Sequence, residues 1–168
     1  VLEVCELMNL EGRKIGICLS SGFFGFYAHN GFHRAMNRLG VIPRAITGCS
    51  AGALFGAMWA TGMSEDAIEG ALGSVGPSML IDPPSLKQLA FGPFGFARGR
   101  RVEGRIRQLL PIEEFDGCPI PFAVTAFDLE TRRLATLDEG SIPRAVRASA
   151  SLPGMFCPTE IEGHPHWD

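Results

Sequence analysis

Thr47-Gly48-Cys49-Ser50-Ala51-Gly52-Ala53-Leu54 is a G-x-S-x-G sequence set between two apolar runs. Ahead of it, Val41-Ile42-Pro43-Arg44-Ala45-Ile46-Thr47 includes a short strand; behind it, Ser50 to about Thr61 is apolar nearly all round and predicts a buried helix closed by Gly62. This is the context of a nucleophile elbow. A serine on a sharp strand-to-helix turn points its hydroxyl into open space, and flanking glycines keep side chains from crowding the backbone. The new helix aims its N-terminal amides at the same point, where an oxyanion is stabilised. Ser50 is therefore the candidate nucleophile of an acyl-ester hydrolase.

Outward from the elbow, strands alternate with helices. Lys14-Ile15-Gly16-Ile17-Cys18-Leu19-Ser20 reads as a buried strand running into the turn Ser21-Gly22-Phe23-Phe24-Gly25. A helix follows over 26–39, with Ala28, Phe32, Ala35 or Met36, and Leu39 as its apolar face and Gly40 as its C-terminal cap. Ser64 caps another helix, with Glu65 and Asp66 in its first turn. Residues 74–99, rich in Gly, Pro and Phe, read as an irregular excursion, a lid or channel wall. A helix is expected over 101–110, strands over 121–127 and 133–137, a helix from the Ser141 cap to about Ala150 with Pro143 in its first turn, and a final hairpin from Thr159-Glu160-Ile161-Glu162 and His166-Trp167-Asp168. The pattern predicts an α/β fold with a largely parallel sheet.

Composition narrows the class. The 168-residue chain suits a single domain, 1–168, with one sizeable core. A 46% hydrophobic content with 20% charge fits a globular protein, and a net charge of −3 gives no sign of a nucleic-acid partner. Five scattered cysteines without a C-x-x-C pair point to reduced thiols and to no metal site. Val1-Leu2-Glu3-Val4-Cys5-Glu6 lacks the basic start of a signal peptide, and no apolar run has transmembrane length. A cytoplasmic protein, or one peripheral at a membrane, is the expectation.

A serine hydroxyl needs a base within hydrogen-bond reach and donors facing the oxyanion. The Ser21–Gly25 turn follows a strand and opens a helix, and adjacent parallel strands bring such turns to one sheet edge. An ordinary βα turn or a phosphate loop is the alternative. For the base, the order Ser…Asp…His is available: His164 and His166 follow Ser50, with Asp66, Asp82, Asp116, Asp128 and Asp138 between.

Three blocks together resemble the patatin-like phospholipase family of serine lipid acyl hydrolases. Leu19-Ser20-Ser21-Gly22-Phe23-Phe24-Gly25 with Ala28-His29-Asn30-Gly31 is similar to its glycine-rich oxyanion block, and Thr47–Leu54 to its nucleophile block. Arg147-Ala148-Ser149-Ala150-Ser151-Leu152-Pro153-Gly154-Met155-Phe156, then Pro158 and Trp167-Asp168, is similar to the stretch leading to its catalytic aspartate. The resemblance implies a three-layer α/β/α fold, a Ser50–Asp168 dyad without histidine, an oxyanion hole at Ser21, Gly22 and Phe23, and no metal or organic cofactor. It implies lipid or phospholipid esters as substrates, with possible peripheral membrane contact. Two departures stand out. Ser21, Gly22 and Phe23 occupy the place of three consecutive glycines, with no arginine beside them. The chain also stops at Asp168, where the family continues with glycine, so an incomplete domain is expected.

Other residues have plainer readings. His29 is expected to pack or cap, Ser149 and Ser151 to be helix-end hydroxyls, and Cys49 to be a small buried residue. Arg98, Arg100, Arg101, Arg105 and Arg107 read as a solvated helix face, with attraction to anionic head groups as the alternative. Phe91, Phe94 and Phe96 read as core or as a mobile hydrophobic loop. Two rival functions remain: a triad esterase using His164 or His166, and an inactive lipid-binding module of the same fold.

Overall fold

The computed structural model describes residues 13–23, 25–74 and 95–168. Strand β1 (Gly16–Leu19) leads through the Ser21–Phe23 turn to helix α1 (Gly25–Arg38); β2 (Ala45–Cys49) leads through Ser50 to α2 (Ala51–Ala60), and α3 (Glu65–Gly73) follows. Beyond lie β3 (Gly95–Ala97), α4 (Arg100–Leu109), a 3-10 turn (Phe115–Gly117), β4 (Phe122–Asp128), β5 (Arg133–Leu137), α5 (Ile142–Ser149), β6 (Gly154–Phe156), β7 (Thr159–Ile161) and β8 (His164–Trp167). The excursion expected over 74–99 lies largely outside the described residues, as do Phe91 and Phe94; its end forms β3, which pairs in parallel with β6. Neither short strand was foreseen.

The expected α/β class is the observed one. β1, β2 and β4 run parallel as consecutive neighbours in a six-stranded sheet, with β1 at one end. β4 is its hub. One edge takes β2 over residues 122–125 and then β8, antiparallel, at Phe127 and Asp128. The other edge takes β5, antiparallel from Val124 to Asp128. β7 completes the hairpin with β8.

Alternation along the strands decides where the core sits. Ile17, Leu19, Ile46, Phe122, Val124 and Ala126 are buried against the helices, while Cys18 and Phe127 on the opposite face are exposed. Helix α2 is the centrepiece: every residue from Phe55 to Ala60 is buried, as its all-round apolar sequence requires. Full burial of Phe55 or Met58 contributes about 1.5–3 kcal/mol each. Gly56 lets α2 press onto the sheet, since a Cβ there would meet the Phe122 ring at 2.8 Å.

The helix ends follow the sequence signals. Gly40 and Gly62 close α1 and α2 with φ of 67° and 79°, and the Ser64 hydroxyl accepts the Ala67 N–H at 3.2 Å. Ser141 precedes α5 but makes no side-chain cap; its backbone bridges Glu114 instead. The buried face of α1 is also rotated from the expected one. Phe26, His33 and Met36 are buried, whereas Ala28, Phe32 and Ala35 are exposed. The cause is aromatic packing: the His33 ring lies edge-on to Trp59 at 4.6 Å and to Phe55 at 5.8 Å, so a histidine fills the core position. Burial accordingly depresses its pKa, against an opposing pull from Glu65.

Candidate active site

Ser50 forms the turn between β2 and α2 with φ 53° and ψ −116°. A non-glycine residue held there costs on the order of 1–3 kcal/mol, so the surrounding structure must enforce it. Close packing does so. A Cβ on Gly48 would collide with the backbone of Gly52, and a Cβ on Gly52 would collide with the carbonyl of Leu19. The two glycines of G-x-S-x-G are required by the approach of α2 to β1 and β2.

The registry on β4 brings Asp168 to the same point. Cys49 pairs with Thr125, and from the other direction Trp167 pairs with Phe127 along the same edge. The next residue of each strand, Ser50 from β2 and Asp168 from β8, therefore arrives beside Ala126. The side chains meet there: the Asp168 carboxyl accepts the Cys49 thiol at 3.7 Å, and the neighbouring Ser50 side chain favours its charged form. Half-burial raises the Asp168 pKa above the ordinary carboxylate value, and the hydrogen bonds from Ser50 and Cys49 only partly offset it.

A third segment grips both residues. The Ser50 N–H donates to the Ser149 hydroxyl at 2.7 Å, and the Asp168 N–H donates to the Ser151 carbonyl at 3.0 Å. Sequence reading missed this. A serine at a helix end carries no signal of its long-range partner; only its full burial in the structure reveals it.

The Ser21–Phe23 turn lies beside the elbow. Leu19 and Ser20 present their carbonyls to Gly52, and a Cβ on Gly25 would stand 3.9 Å from the Ala51 side chain. Gly22 takes the positive φ of 153°, its carbonyl accepting the Gly25 N–H at 2.7 Å. Phe23 is not among the described non-glycine residues of positive φ, which are Ser50, Arg132 and Glu162. The departure from three glycines thus leaves the turn without strain at Phe23, whose side chain is 59% exposed.

None of the three nearby histidines is bonded to Ser50 in the described structure. His29 donates from Nε2 to the Ser20 carbonyl at 2.9 Å, bracing the start of the turn. His164 Nδ1 donates to Asp128 at 3.0 Å, and His166, buried, donates from Nδ1 to the His164 carbonyl at 2.9 Å. The arginine run is divided. Arg107 pairs with Glu103 and Glu113, and Arg147 from α5 pairs with Glu103 at 3.0 Å. Burial would raise the Glu103 pKa, but hydrogen bonds from Arg147 and Arg107 hold it below the ordinary value. Among the described residues no His, Cys, Asp or Glu cluster could hold a metal, and Cys18, Cys49 and Cys118 are free thiols.

The α/β fold thus sets a strained serine elbow against a half-buried carboxylate at one edge of the sheet. The patatin-like phospholipase profile matches residues 17–168, and the chain belongs to that family. An uncharacterized NTE family protein of Mycobacterium bovis is 26% identical over 152 residues, covering 89% of this chain and 41% of the relative. Another from Mycobacterium tuberculosis is 29% identical over 151 residues, covering 89% and 25%. The chain thus spans less than half the length of these relatives. Among solved structures, VipD from Legionella pneumophila superimposes with a TM-score of 0.64 at 15% identity, covering 92% of this chain and 45% of VipD. ExoU of Pseudomonas aeruginosa, solved in complex with SpcU, gives 0.60 at 16% identity, covering 83% and 38%. These two likenesses establish the fold.

Proposed function

We propose that the protein is a lipid acyl hydrolase that forms an acyl-enzyme on Ser50, with Asp168 as general base and no histidine. The observation that carries this reading is the strand registry on β4, which sets a strained elbow serine against a half-buried carboxylate of raised pKa. A carboxylate is ordinarily a weak base at neutral pH; raising its pKa brings it closer to the task. Asp168 takes the Ser50 hydroxyl proton as Oγ attacks the ester carbonyl. The oxyanion faces backbone N–H groups of Ser21, Gly22 and Phe23, reinforced by the N-terminus of α2. The collapsing intermediate expels the alcohol or lysolipid, which receives the proton held by Asp168. Water then attacks the acyl-enzyme, giving its proton to the same carboxylate, and Ser50 is regenerated as the fatty acid leaves.

The substrates are acyl esters of glycerophospholipids or related lipids, reached by peripheral contact with a membrane. A triad esterase is disfavoured because, among the described residues, Ser50 is bonded to neither His164 nor His166, and His164 Nε2 lies 3.7 Å from Glu130 instead. Incubation of the full-length protein with a fluorophosphonate, followed by peptide mass mapping, tests the reading. Adduct on Ser50, lost in Ser50→Ala, is expected; a folded protein without adduct contradicts it.

A further inference from the structure

The Ser50 elbow does not hold itself. Its conformation is unfavourable for serine, and its N–H lies at the start of α2, ahead of the helix's own hydrogen bonds. One described side chain meets that N–H: Ser149, fully buried at the end of α5, whose hydroxyl accepts it at 2.7 Å. Helix α5 is itself fixed, by the Ile142 N–H on the Glu113 carbonyl at 2.8 Å and by core burial of Ile142, Ala145 and Val146.

Two residues further on, Ser151 holds Asp168 by its backbone. Ser151 is locked in turn. Its hydroxyl donates to the Arg147 carbonyl at 2.8 Å and stands 3.1 Å from that of Thr159, which is fully buried on β7. Thr159 pairs with His166 on β8, the strand that ends at Asp168. The segment 149–151 therefore grips the backbone of Ser50 at one end and the backbone of Asp168 at the other, with Ala150 between.

We propose that Ser149 is a positioning residue for Ser50: its hydroxyl holds the elbow while the Ser151 carbonyl, two residues on, holds the Asp168 backbone, so that one segment sets the nucleophile against the carboxylate. The inference rests on the hydrolase reading of the site. It also takes the Ser50 N–H out of the pool of oxyanion donors, because that N–H is already committed. Loss of the hydroxyl leaves a buried amide without its acceptor and lets the elbow relax, which separates Oγ from the carboxylate without touching the substrate.

The test compares full-length wild type, Ser149→Ala and Ser149→Cys by fluorophosphonate labelling rate, ester turnover and thermal unfolding. Cysteine keeps the side chain's shape but is a poor acceptor. Ser149→Ala is expected to lower kcat and the labelling rate by about tenfold to a hundredfold, with KM within about twofold of wild type. Ser149→Cys should fall in between. Wild-type labelling by Ser149→Ala, or a loss matching only its unfolded fraction, overturns the proposal; if Ser149→Ala does not fold, wild-type kinetics in Ser149→Cys overturn it. An unlabelled wild type would instead sink the hydrolase reading, whereas a labelled wild type with equally labelled variants sinks this inference alone.

Discussion

The Cys49 thiol donates to Asp168 Oδ1 across 3.7 Å, so the carboxylate that faces Ser50 is shared between a hydroxyl and a thiol. Both donors favour its charged form, against burial, which disfavours it and wins. A base must be unprotonated, so kcat/KM should fall on the acid side with a midpoint above the ordinary carboxylate value of 3.8. Cys49→Ala removes one stabilising donor and should move that midpoint to higher pH. Paired pH–rate profiles check this; coincident acid limbs would remove Cys49 from the account.

The elbow glycines make a sharper structural prediction. Gly48→Ala and Gly52→Ala place a Cβ against backbone that cannot step aside, and each should destabilise by about 3 kcal/mol or more. Gly70 is the control: it lies in α3 without a positive φ, and a Cβ there would have nothing within 4 Å. Gly70→Ala should stabilise by roughly 0.5–1 kcal/mol. Urea unfolding of the three variants measures both signs.

The His164–Asp128 pair predicts a pH dependence of stability rather than of rate. The Asp128 hydrogen bond raises the His164 pKa above 6.5, with Glu130 adding to the effect. A group bound more tightly as the cation in the folded state contributes its stabilisation fully below its unfolded pKa and loses it as pH rises through the folded value. His164→Gln should therefore lower the melting temperature at mildly acid pH and converge with wild type at alkaline pH. A pH-independent difference would mean that packing, not charge, is the contribution. Turnover should persist in this variant, since His164 stands outside the proposed chemistry.

Much of this was legible in the chain. G-x-S-x-G between two apolar runs dictated the β2–α2 elbow, because only a strand-turn-helix buries both runs while exposing Ser50. The glycine and serine signals at Gly40, Gly62 and Ser64 placed the helix ends. Asp168 was different. Spacing alone left aspartate and histidine bases open, and only family resemblance singled it out; the physical cause, two strands meeting along one edge of β4, is a property of registry. The face of α1 was misjudged because apolar periodicity gives no weight to a histidine packed edge-on against Trp59. Ser149 escaped notice because its partner lies far away in the chain.

The proposed chemistry turns on Asp168, not a histidine, activating Ser50. Asp168→Asn keeps the side chain's shape and removes the base. Since burial makes the charged form unfavourable in the folded state, the substitution should leave the melting temperature unchanged or raised. Ester turnover by full-length Asp168→Asn, with His164 and His166 intact, is the most direct measurement. A loss of about a hundredfold to ten-thousandfold in kcat in a folded protein is expected. Turnover retained near the wild-type rate would contradict it.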